Sequence, residues 1–467
     1  MATGRLLKPT LHVEVLLTTC KLPASALHDT CLAIKKFVQD NYVTLRVDDD
    51  ISGYEMIAYA EYVERIDIAD YTGPSEPAGY HSLDEVQLDI VAYALKTAEE
   101  GRPRRRIGQP EDPDDFPQAR VLPLPHVVLR NEWDSLIYDE ALPSQLLRYL
   151  NRMLGVMKQP GLNLSTFNWN RLCLLHGPPG SGKSTLCRAL AQKLSIRLSD
   201  TFSHAVLVEV NTNAMLSKYF GESGKLIGTL FEKIHAMAQS LTTLVCVVMD
   251  EVETIAGSRE KADAGGECSD GVRATNQLLT ALDRLRALPN IIVLCTSNLI
   301  SAIDPAFLDR VDIKQLIPSP SPSAIYNIFR SCLNELVRSS LVNTAATTTH
   351  VEYSAAESAS SSSRASEHSS NSPETDLDDR TTVLETSNIP TLAEMHIAYY
   401  DKPQAPCRRV WALSQKCEGF SGRTLRRLPI LGLAMYTWGG NCTLDDAITA
   451  LTAAVDQELL AKQARAV

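Results

Sequence analysis

The chain has 467 residues, 44% of them hydrophobic and 22% charged, which is the composition of a globular protein of about three domains. Its 45 Lys and Arg against 56 Asp and Glu give a net charge of −11, which disfavours a protein that works mainly by gripping nucleic-acid phosphates. The eleven cysteines contain no Cys-x-x-Cys pair, so we expect reduced thiols in a cytosolic or nuclear protein. No apolar run is long enough to span a membrane, and the N-terminus lacks the layout of a secretory signal.

Residues 1–100 are predicted to form a small α/β domain. Alternating apolar residues predict strands over 11–19, 42–47 and 63–68, and residues 24–39 have apolar side chains at helical spacing. No catalytic pattern occurs here, so we interpret this domain as one that recognises a substrate or adaptor, or as a scaffold.

Residues 101–125 are predicted to be a linker. They contain six prolines and two opposed charge clusters, Arg104–Arg106 and the acidic residues of 111–115. The triple arginine is either a solvated charge run, which we favour, or a localisation signal.

Residues 126–320 alternate between helical patterns and apolar strands. The predicted strands are 172–176, 205–211, 244–250, 291–298 and 311–317. Nearly continuous apolar strands that alternate with helices predict a parallel sheet with helices on both faces. Ligands bind such sheets at the carboxyl ends of the strands.

Residues 321–467 are predicted to be a small helical lid domain with an insertion at about 341–390. Helical patterns cover 322–338 and three stretches between 408 and 462. The insertion has eight acidic against two basic residues, and ten of its residues 351–380 are Ser, so we expect it to be disordered. It is either a phosphorylated segment or an inert spacer.

A glycine-rich turn follows the apolar run 172–176. Its spacing fits the phosphate-binding pattern G-x-x-x-x-G-K-[ST]. Glycines let backbone N–H groups converge on phosphate oxygens, and the next helix directs its N-terminal donors at the same anion. Lys183 is expected to reach the β- and γ-phosphates of ATP, and Ser184 to bind Mg²⁺. The predicted ATP-binding residues are Gly177, Pro178, Pro179, Gly180, Ser181, Gly182, Lys183, Ser184 and Thr185.

Two carboxylates end the strand over 244–250. We expect Asp250 to hold Mg²⁺, directly or through water, and Glu251 to polarise the attacking water. Adjacent acids at a strand end are common, and it is the phosphate-binding pattern upstream that favours this catalytic interpretation.

Three further polar residues complete the predicted site. Asn298 is placed to hydrogen-bond the γ-phosphate or the water, and Arg310 has the planar fork suited to a transferring phosphoryl group. Arg423, in the run Gly-Phe-Ser-Gly-Arg of 419–423, is expected to reach the phosphates from the lid domain. Taken singly, these residues also fit an ordinary turn, a surface ion pair and a helix start.

Together these motifs resemble the AAA+ ATPase superfamily, and four runs of sequence narrow the match to the pachytene checkpoint protein 2 family. The runs that carry the resemblance are 216–226, 250–254, 307–315 and 419–429. The likeness extends from about Trp133 to the C-terminus, apart from the serine-rich insertion, and is weak over 1–125.

The resemblance implies a hexameric ring that uses ATP to unfold part of HORMA-domain proteins in meiotic chromosome-axis and spindle-checkpoint control, with or without an adaptor. It implies that Arg310 acts in trans on a neighbour's nucleotide and that Arg423 acts in cis. It also implies that Tyr219 and Phe220 line the central pore and grip the substrate. The expected location is the nucleus, on chromosomes, with the cytoplasm as a further site. Neither a membrane nor a specific DNA sequence is expected as a partner.

Two other functions are compatible with the motifs. One is a nucleic-acid-dependent AAA+ motor or loader, which the acidic balance disfavours. The other is a checkpoint scaffold that binds ATP without hydrolysing it, which the complete set of predicted catalytic residues disfavours.

Overall fold

The computed structural model describes ten stretches of the chain, which fall into two compact units. The described residues are 8–19, 23–73, 79–97, 118–139, 141–157, 169–215, 222–257, 268–343, 388–437 and 442–466. The first unit comprises Met1–Ser321 with Gly419–Arg423, and the second Pro322–Glu418 with Thr424–Val467.

The N-terminal part of the first unit is an α/β domain, as predicted. Its elements are β1 (Thr10–Leu17), α1 (Ala24–Asn41), β2 (Thr44–Arg46), β3 (Val63–Tyr71), β4 (Tyr80–Ser82) and β5 (Gln87–Ala94). Strands pair in the order β3-β1-β5, with β1 antiparallel to β3 and parallel to β5. The buried face of α1, which includes Ile34 and Val38, packs into the same apolar core as the sheet.

A six-stranded sheet forms the rest of the first unit. Its strands are β6 (Ala119–Leu124), β7 (Leu172–His176), β8 (His204–Val210), β9 (Thr243–Met249), β10 (Ile291–Ser297) and β11 (Ile313–Leu316). They pair in the order β11-β7-β10-β9-β8-β6, and every pair is parallel except β6 with β8. The five parallel strands agree with the predicted ones to within two residues at each end.

Helices cover both faces of this sheet. They are α2 (Leu142–Met157), α3 (Lys183–Arg197), α4 (Thr212–Met215), α5 (Glu222–Ala238), α6 (Cys268–Leu285) and α7 (Pro305–Asp309). Alternate residues of β7 enter two separate apolar cores: Leu172 and Leu174 pack with α5 and α6, whereas Cys173 and Leu175 pack with α2 and α3. Burial on both faces explains why the parallel strands are apolar at nearly every position.

The end of the predicted linker is structured. Residues 119–124, placed in the linker by their proline content, form β6 and pair antiparallel with β8. Pro123 lacks an N–H, but β6 is an edge strand among the described residues, and an edge strand tolerates proline because one side of its backbone needs no ladder partner. The rest of the predicted linker, up to residue 117, lies outside the described residues.

The N-terminal domain contacts α3 through a buried cluster of charges. Lys193 Nζ lies 2.5 Å from Glu14 Oε2 of β1, and Arg197 Nη1 lies 3.2 Å from Asp70 Oδ2 of β3. The side chains of Glu14, Asp70 and Arg197 are each only 2% exposed. Arg148 of α2 lies 3.9 Å from Asp70. The helix that begins at the predicted phosphate-binding loop is therefore also the helix that holds the N-terminal domain.

The second unit is helical, as predicted. Its helices are α8 (Pro322–Arg338), α9 (Leu392–Ala398), α10 (Pro406–Lys416), α11 (Gly422–Tyr436, which begins in the first unit) and α12 (Leu444–Ala466). Thr391 begins α9 with a capping box, accepting a hydrogen bond from the Glu394 N–H. Residues 344–387 of the predicted disordered insertion lie outside the described residues. Within the described stretches, no helix has the length and apolar character that a bilayer span requires.

Candidate functional site

The glycine-rich turn lies between the carboxyl end of β7 and the start of α3, as its motif predicts. Gly177 has φ +147°, and a Cβ there would lie 2.2 Å from the Ile317 backbone carbonyl oxygen. Gly180 has φ +74°, and its Cβ would lie 2.9 Å from Ser421 Oγ. Both positions therefore require glycine, for backbone conformation as well as for space.

Lys183 is the first residue of α3 and is 5% exposed. Its Nζ donates to the carbonyl oxygens of Gly177 and Pro178, at 2.9 and 2.8 Å. Burial lowers the pKa of Lys183, against the opposing effect of Asp250, Glu253 and Glu251. The ammonium is thus held within the loop, facing the carboxylates that end β9.

Asp250 meets the loop directly. Its Oδ1 accepts a hydrogen bond from Ser184 Oγ at 2.7 Å, and the Thr296 hydroxyl at the end of β10 donates to the same atom. The Thr212 hydroxyl donates to the Asp250 carbonyl at 2.9 Å. The two residues predicted to bind Mg²⁺ are therefore in contact, at the edge where three strands end.

Thr296 has a second role that the sequence analysis missed. Its Oγ1 also accepts a hydrogen bond from the Glu251 N–H at 3.1 Å. Glu251 has φ +52°, a left-handed conformation that is costly for a residue with a side chain and that clusters at functional sites. The Thr254 hydroxyl donates to the Glu251 carbonyl at 2.9 Å, so hydrogen bonds hold both sides of this strained residue. In the sequence, the only indication of this role was the position of Thr296 at a strand end, two residues before Asn298.

Asn298 is exposed, next to the same strand ends. Its N–H donates to Glu253 Oε1 at 2.9 Å, which fixes the backbone and leaves the side-chain amide exposed. Glu253 Oε2 is buried and has no hydrogen-bond partner among the described residues. Glu253 therefore holds the backbone of Asn298 in place. The sequence analysis assigned no role to this residue.

The segment Gly419–Arg423 lies against the glycine-rich loop. The Arg423 N–H donates to the Gly180 carbonyl at 3.4 Å, and a Cβ on Gly422 would lie 3.1 Å from the same oxygen. Arg423 itself is exposed. The structure thus brings this predicted residue to the loop, although 240 positions of sequence separate it from Lys183.

The segment before α2 also contacts the loop. Tyr138 Oη donates to the Ser181 carbonyl at 3.2 Å, and Arg188 Nε of α3 lies 2.8 and 3.0 Å from the two carboxylate oxygens of Glu132. No sequence motif predicted these two contacts, because the residues of each pair are distant in sequence.

A polar cavity of about 430 Å³ opens beside the Ser184–Asp250 pair. Its other polar lining residues include Asn211, Arg188 and Glu209. Hydroxyl and carboxylate oxygens facing open space suit Mg²⁺, which binds one or two protein groups and completes its octahedron with water and phosphate. Among the described residues, no group of three or more His, Cys, Asp or Glu is placed to hold a metal alone. The donor set therefore fits Mg²⁺ bound together with a nucleotide.

Arg310 lies at the opposite end of the sheet. It is the C-cap residue that follows α7, and its carbonyl accepts a hydrogen bond from Asn170 Nδ2 at 2.9 Å. Asn170 precedes the amino end of β7, whereas the glycine-rich loop follows the carboxyl end. Five residues of strand separate the two ends by roughly 16 Å. Arg310 is thus remote from the glycine-rich loop of its own chain.

The predicted pore residues Tyr219 and Phe220 lie outside the described residues, as do the rest of 216–221.

Three family models match the chain and together cover most of it. The model of the "ATPase family associated with various cellular activities (AAA)" matches residues 173–319. The "TRIP13 N-terminal domain" matches 6–98, and the "TRIP13-like, AAA+ ATPase lid C-terminal domain" matches 321–388 and 377–459.

The relatives that this chain matches are similar over most of their length. The pachytene checkpoint protein 2 homolog of Danio rerio is 35% identical over 396 residues, covering 85% of this chain and 82% of the relative. The homolog of Oryza sativa subsp. indica is 33% identical over 454 residues, covering 96% and 87%. The solved structure of C. elegans PCH-2 superposes with a TM-score of 0.69 at 26% identity, covering 97% of this chain and all of that one. The chain therefore belongs to the pachytene checkpoint protein 2 family of AAA+ ATPases, as its motifs predicted.

Proposed function

We propose that this chain binds and hydrolyses ATP in the site around the glycine-rich loop. The observation that carries the proposal is the convergence of Lys183, Ser184, Asp250, Glu251 and Asn298 at adjacent strand ends. Lys183 would neutralise the β- and γ-phosphates, and Glu251 would orient the attacking water. Mg²⁺, held by Ser184 and Asp250 with the phosphates, would neutralise the charge that develops on the transferred group.

Hydrolysis is proposed to need a second copy of the chain. Because Arg310 lies at the far end of the sheet from its own loop, its guanidinium is suited to a nucleotide bound by a neighbour. An arginine supplied across an interface accelerates phosphoryl transfer by roughly 10³–10⁵. Arg423, whose backbone touches Gly180, would instead act on the nucleotide of its own chain.

The work done by this cycle is proposed to be the remodelling of a HORMA-domain protein by a hexameric ring. The support is the family membership and the motif runs that specify it. Tyr219 and Phe220 would grip the client in the pore, and the N-terminal domain would receive it, directly or through an adaptor. The site of action is proposed to be the nucleus and its chromosomes, with the cytoplasm as a further location.

Replacement of Glu251 by Gln tests the hydrolytic step. The variant should bind ATP as the parent does and should turn it over at least about 100-fold more slowly, because general-base catalysis contributes roughly 10²–10⁴. Phosphate release and nucleotide affinity are measured on the same preparation. Turnover close to that of the parent would remove Glu251 from the mechanism.

The same variant tests the client. In ATP it should retain a purified HORMA-domain protein during gel filtration, whereas Lys183→Ala should not, because it lacks the ammonium that holds the phosphates. Stimulation of the parent's ATPase by DNA, with none by HORMA-domain proteins, would favour a nucleic-acid motor instead. Absence of turnover with either would favour a scaffold.

A further inference from the structure

Arg310 is held by an acidic residue of its own chain. Its Nε and Nη2 donate to the two carboxylate oxygens of Asp283 on α6, each at 2.9 Å. Its Nη1 donates to the Ala306 carbonyl at 2.8 Å. The side chains are partly exposed, 27% for Arg310 and 45% for Asp283, so this ion pair is not part of the apolar core.

Hydrogen bonds from Asn170 and Arg171 hold the backbone near both residues of this pair. Arg171, which is 1% exposed, donates to the carbonyls of Leu285 and Arg286 at 3.2 and 3.0 Å, and so holds the end of the helix that carries Asp283. The neighbouring Asn170 holds the Arg310 carbonyl at 2.9 Å. Two consecutive residues just before β7 therefore hold the backbone on both sides of the ion pair.

Two N–H donors of the guanidinium remain available among the described residues. A guanidinium has five N–H donors. Three are engaged, one each on Nε, Nη1 and Nη2, so among the described residues one N–H remains on each terminal nitrogen. These two donors lie in one charged plane and can each donate to a phosphate oxygen.

We propose that Asp283 is a positioning residue for phosphoryl transfer, which orients the remaining N–H donors of Arg310 towards the γ-phosphate bound by the neighbouring subunit. An unrestrained arginine samples many rotamers, and the bidentate carboxylate selects one of them before the subunits meet. The proposal rests on the trans action of Arg310 proposed above. The opposite role is a latch, in which Asp283 competes with the phosphate for Arg310, and removal of a latch would raise turnover.

Replacement of Asp283 by Ala tests this proposal in homogeneous rings. We expect kcat to fall about 10- to 100-fold, since small misplacements of a catalytic group have effects of that size. KM and ATP affinity should change little, because each chain binds its own nucleotide without this pair. Glu232→Ala is the matched control: it removes a carboxylate 4.0 Å from Arg284, the residue next to Asp283, in an exposed pair. Its kcat should equal that of the parent.

Mixed rings separate positioning from general structural damage. Asp283→Ala subunits still accept an arginine from a neighbour, so mixing them with Lys183→Ala subunits should restore part of the turnover. Mixing them with Arg310→Ala subunits should restore none, because both variants lack the same competent arginine. Melting temperature and elution volume are compared with those of Glu232→Ala to establish folding and assembly.

The outcomes distinguish this inference from the proposal on which it depends. Rescue of Arg310→Ala but not of Asp283→Ala by Lys183→Ala would overturn the positioning role alone. A kcat for Asp283→Ala equal to or above that of the parent would also overturn it. Failure of Lys183→Ala to rescue Arg310→Ala would instead refute trans action itself, and the role of Asp283 with it.

Discussion

The charge cluster between the N-terminal domain and α3 makes a quantitative prediction about stability. The substitution is Asp70→Asn, which keeps the size of the side chain and removes its charge. Asp70 and Arg197 are each 2% exposed, so solvent screens their interaction very little. The change leaves the Arg197 guanidinium buried without its closest carboxylate.

Breaking a buried ion pair by removing one partner costs roughly 3–5 kcal/mol. The lower part of that range applies here, because Glu14 Oε1 lies 3.9 Å from Arg197 Nε and still compensates part of the charge. A loss of about 3 kcal/mol is a large part of the roughly 5–15 kcal/mol that stabilises a typical domain. With a urea dependence of roughly 1–3 kcal/mol per molar, a loss of about 3 kcal/mol should lower the midpoint by about 1–3 M.

The assay is urea titration with hydrogen exchange read out in β1 and β3. Asp445→Asn is the control, since Asp445 pairs with Arg409 at 2.9 Å but is 67% exposed, and exposed pairs contribute little. Adding Arg197→Met to Asp70→Asn should recover part of the loss, because no guanidinium then remains buried. If Asp70→Asn and Asp445→Asn shifted the midpoint equally, the cluster would not be desolvated as the structure has it.

Three further predictions concern the nucleotide site and the N-terminal domain. Thr296→Val removes the hydroxyl that contacts Asp250 and Glu251, and it should lower kcat about tenfold, the equivalent of about 1.4 kcal/mol, at unchanged nucleotide affinity. Thr296→Ser keeps the hydroxyl and should retain activity. An equal loss of kcat in both variants would refute a role for the hydroxyl. Gly177→Ala forces a Cβ onto a backbone carbonyl and should abolish nucleotide binding measured by calorimetry. Gly155→Ala should not, since no atom of the described residues lies within 4 Å of the added Cβ. Burial, with a hydrogen bond to Asp50, raises the pKa of Asp67 to about 7. The carboxyl of Asp67 therefore binds a proton more tightly in the folded domain than in the unfolded chain. Protonation of Asp67 stabilises the fold at low pH, and this contribution is lost as the pH rises towards 7. Acidification from about pH 7.5 to about 5.5 should increase the unfolding free energy by about 1–2 kcal/mol more in the parent than in Asp67→Asn, and equal pH dependence would contradict this.

The elements that the sequence predicted well are those with a local physical cause. The parallel strands were found because burial on both faces makes them apolar throughout, and the glycine-rich loop because its backbone excludes a Cβ at Gly177 and Gly180. Strand β6 was missed because Pro123 and the charged, proline-rich residues before it resemble a linker. Its pairing with β8 shows only in the folded chain.

The sequence by itself determined the fold class and the family, and it supplied the candidate residues of the proposed nucleotide site, because each depends on motifs that are local along the chain. Only the tertiary structure decided which partners hold those residues. Thr296 bridges Asp250 and Glu251, Asp283 holds Arg310, and α3 anchors the N-terminal domain, in each case across many intervening residues. Such pairs follow from the order of strands in the sheet and the packing of helices upon it, and neither spacing nor periodicity in the sequence specifies them.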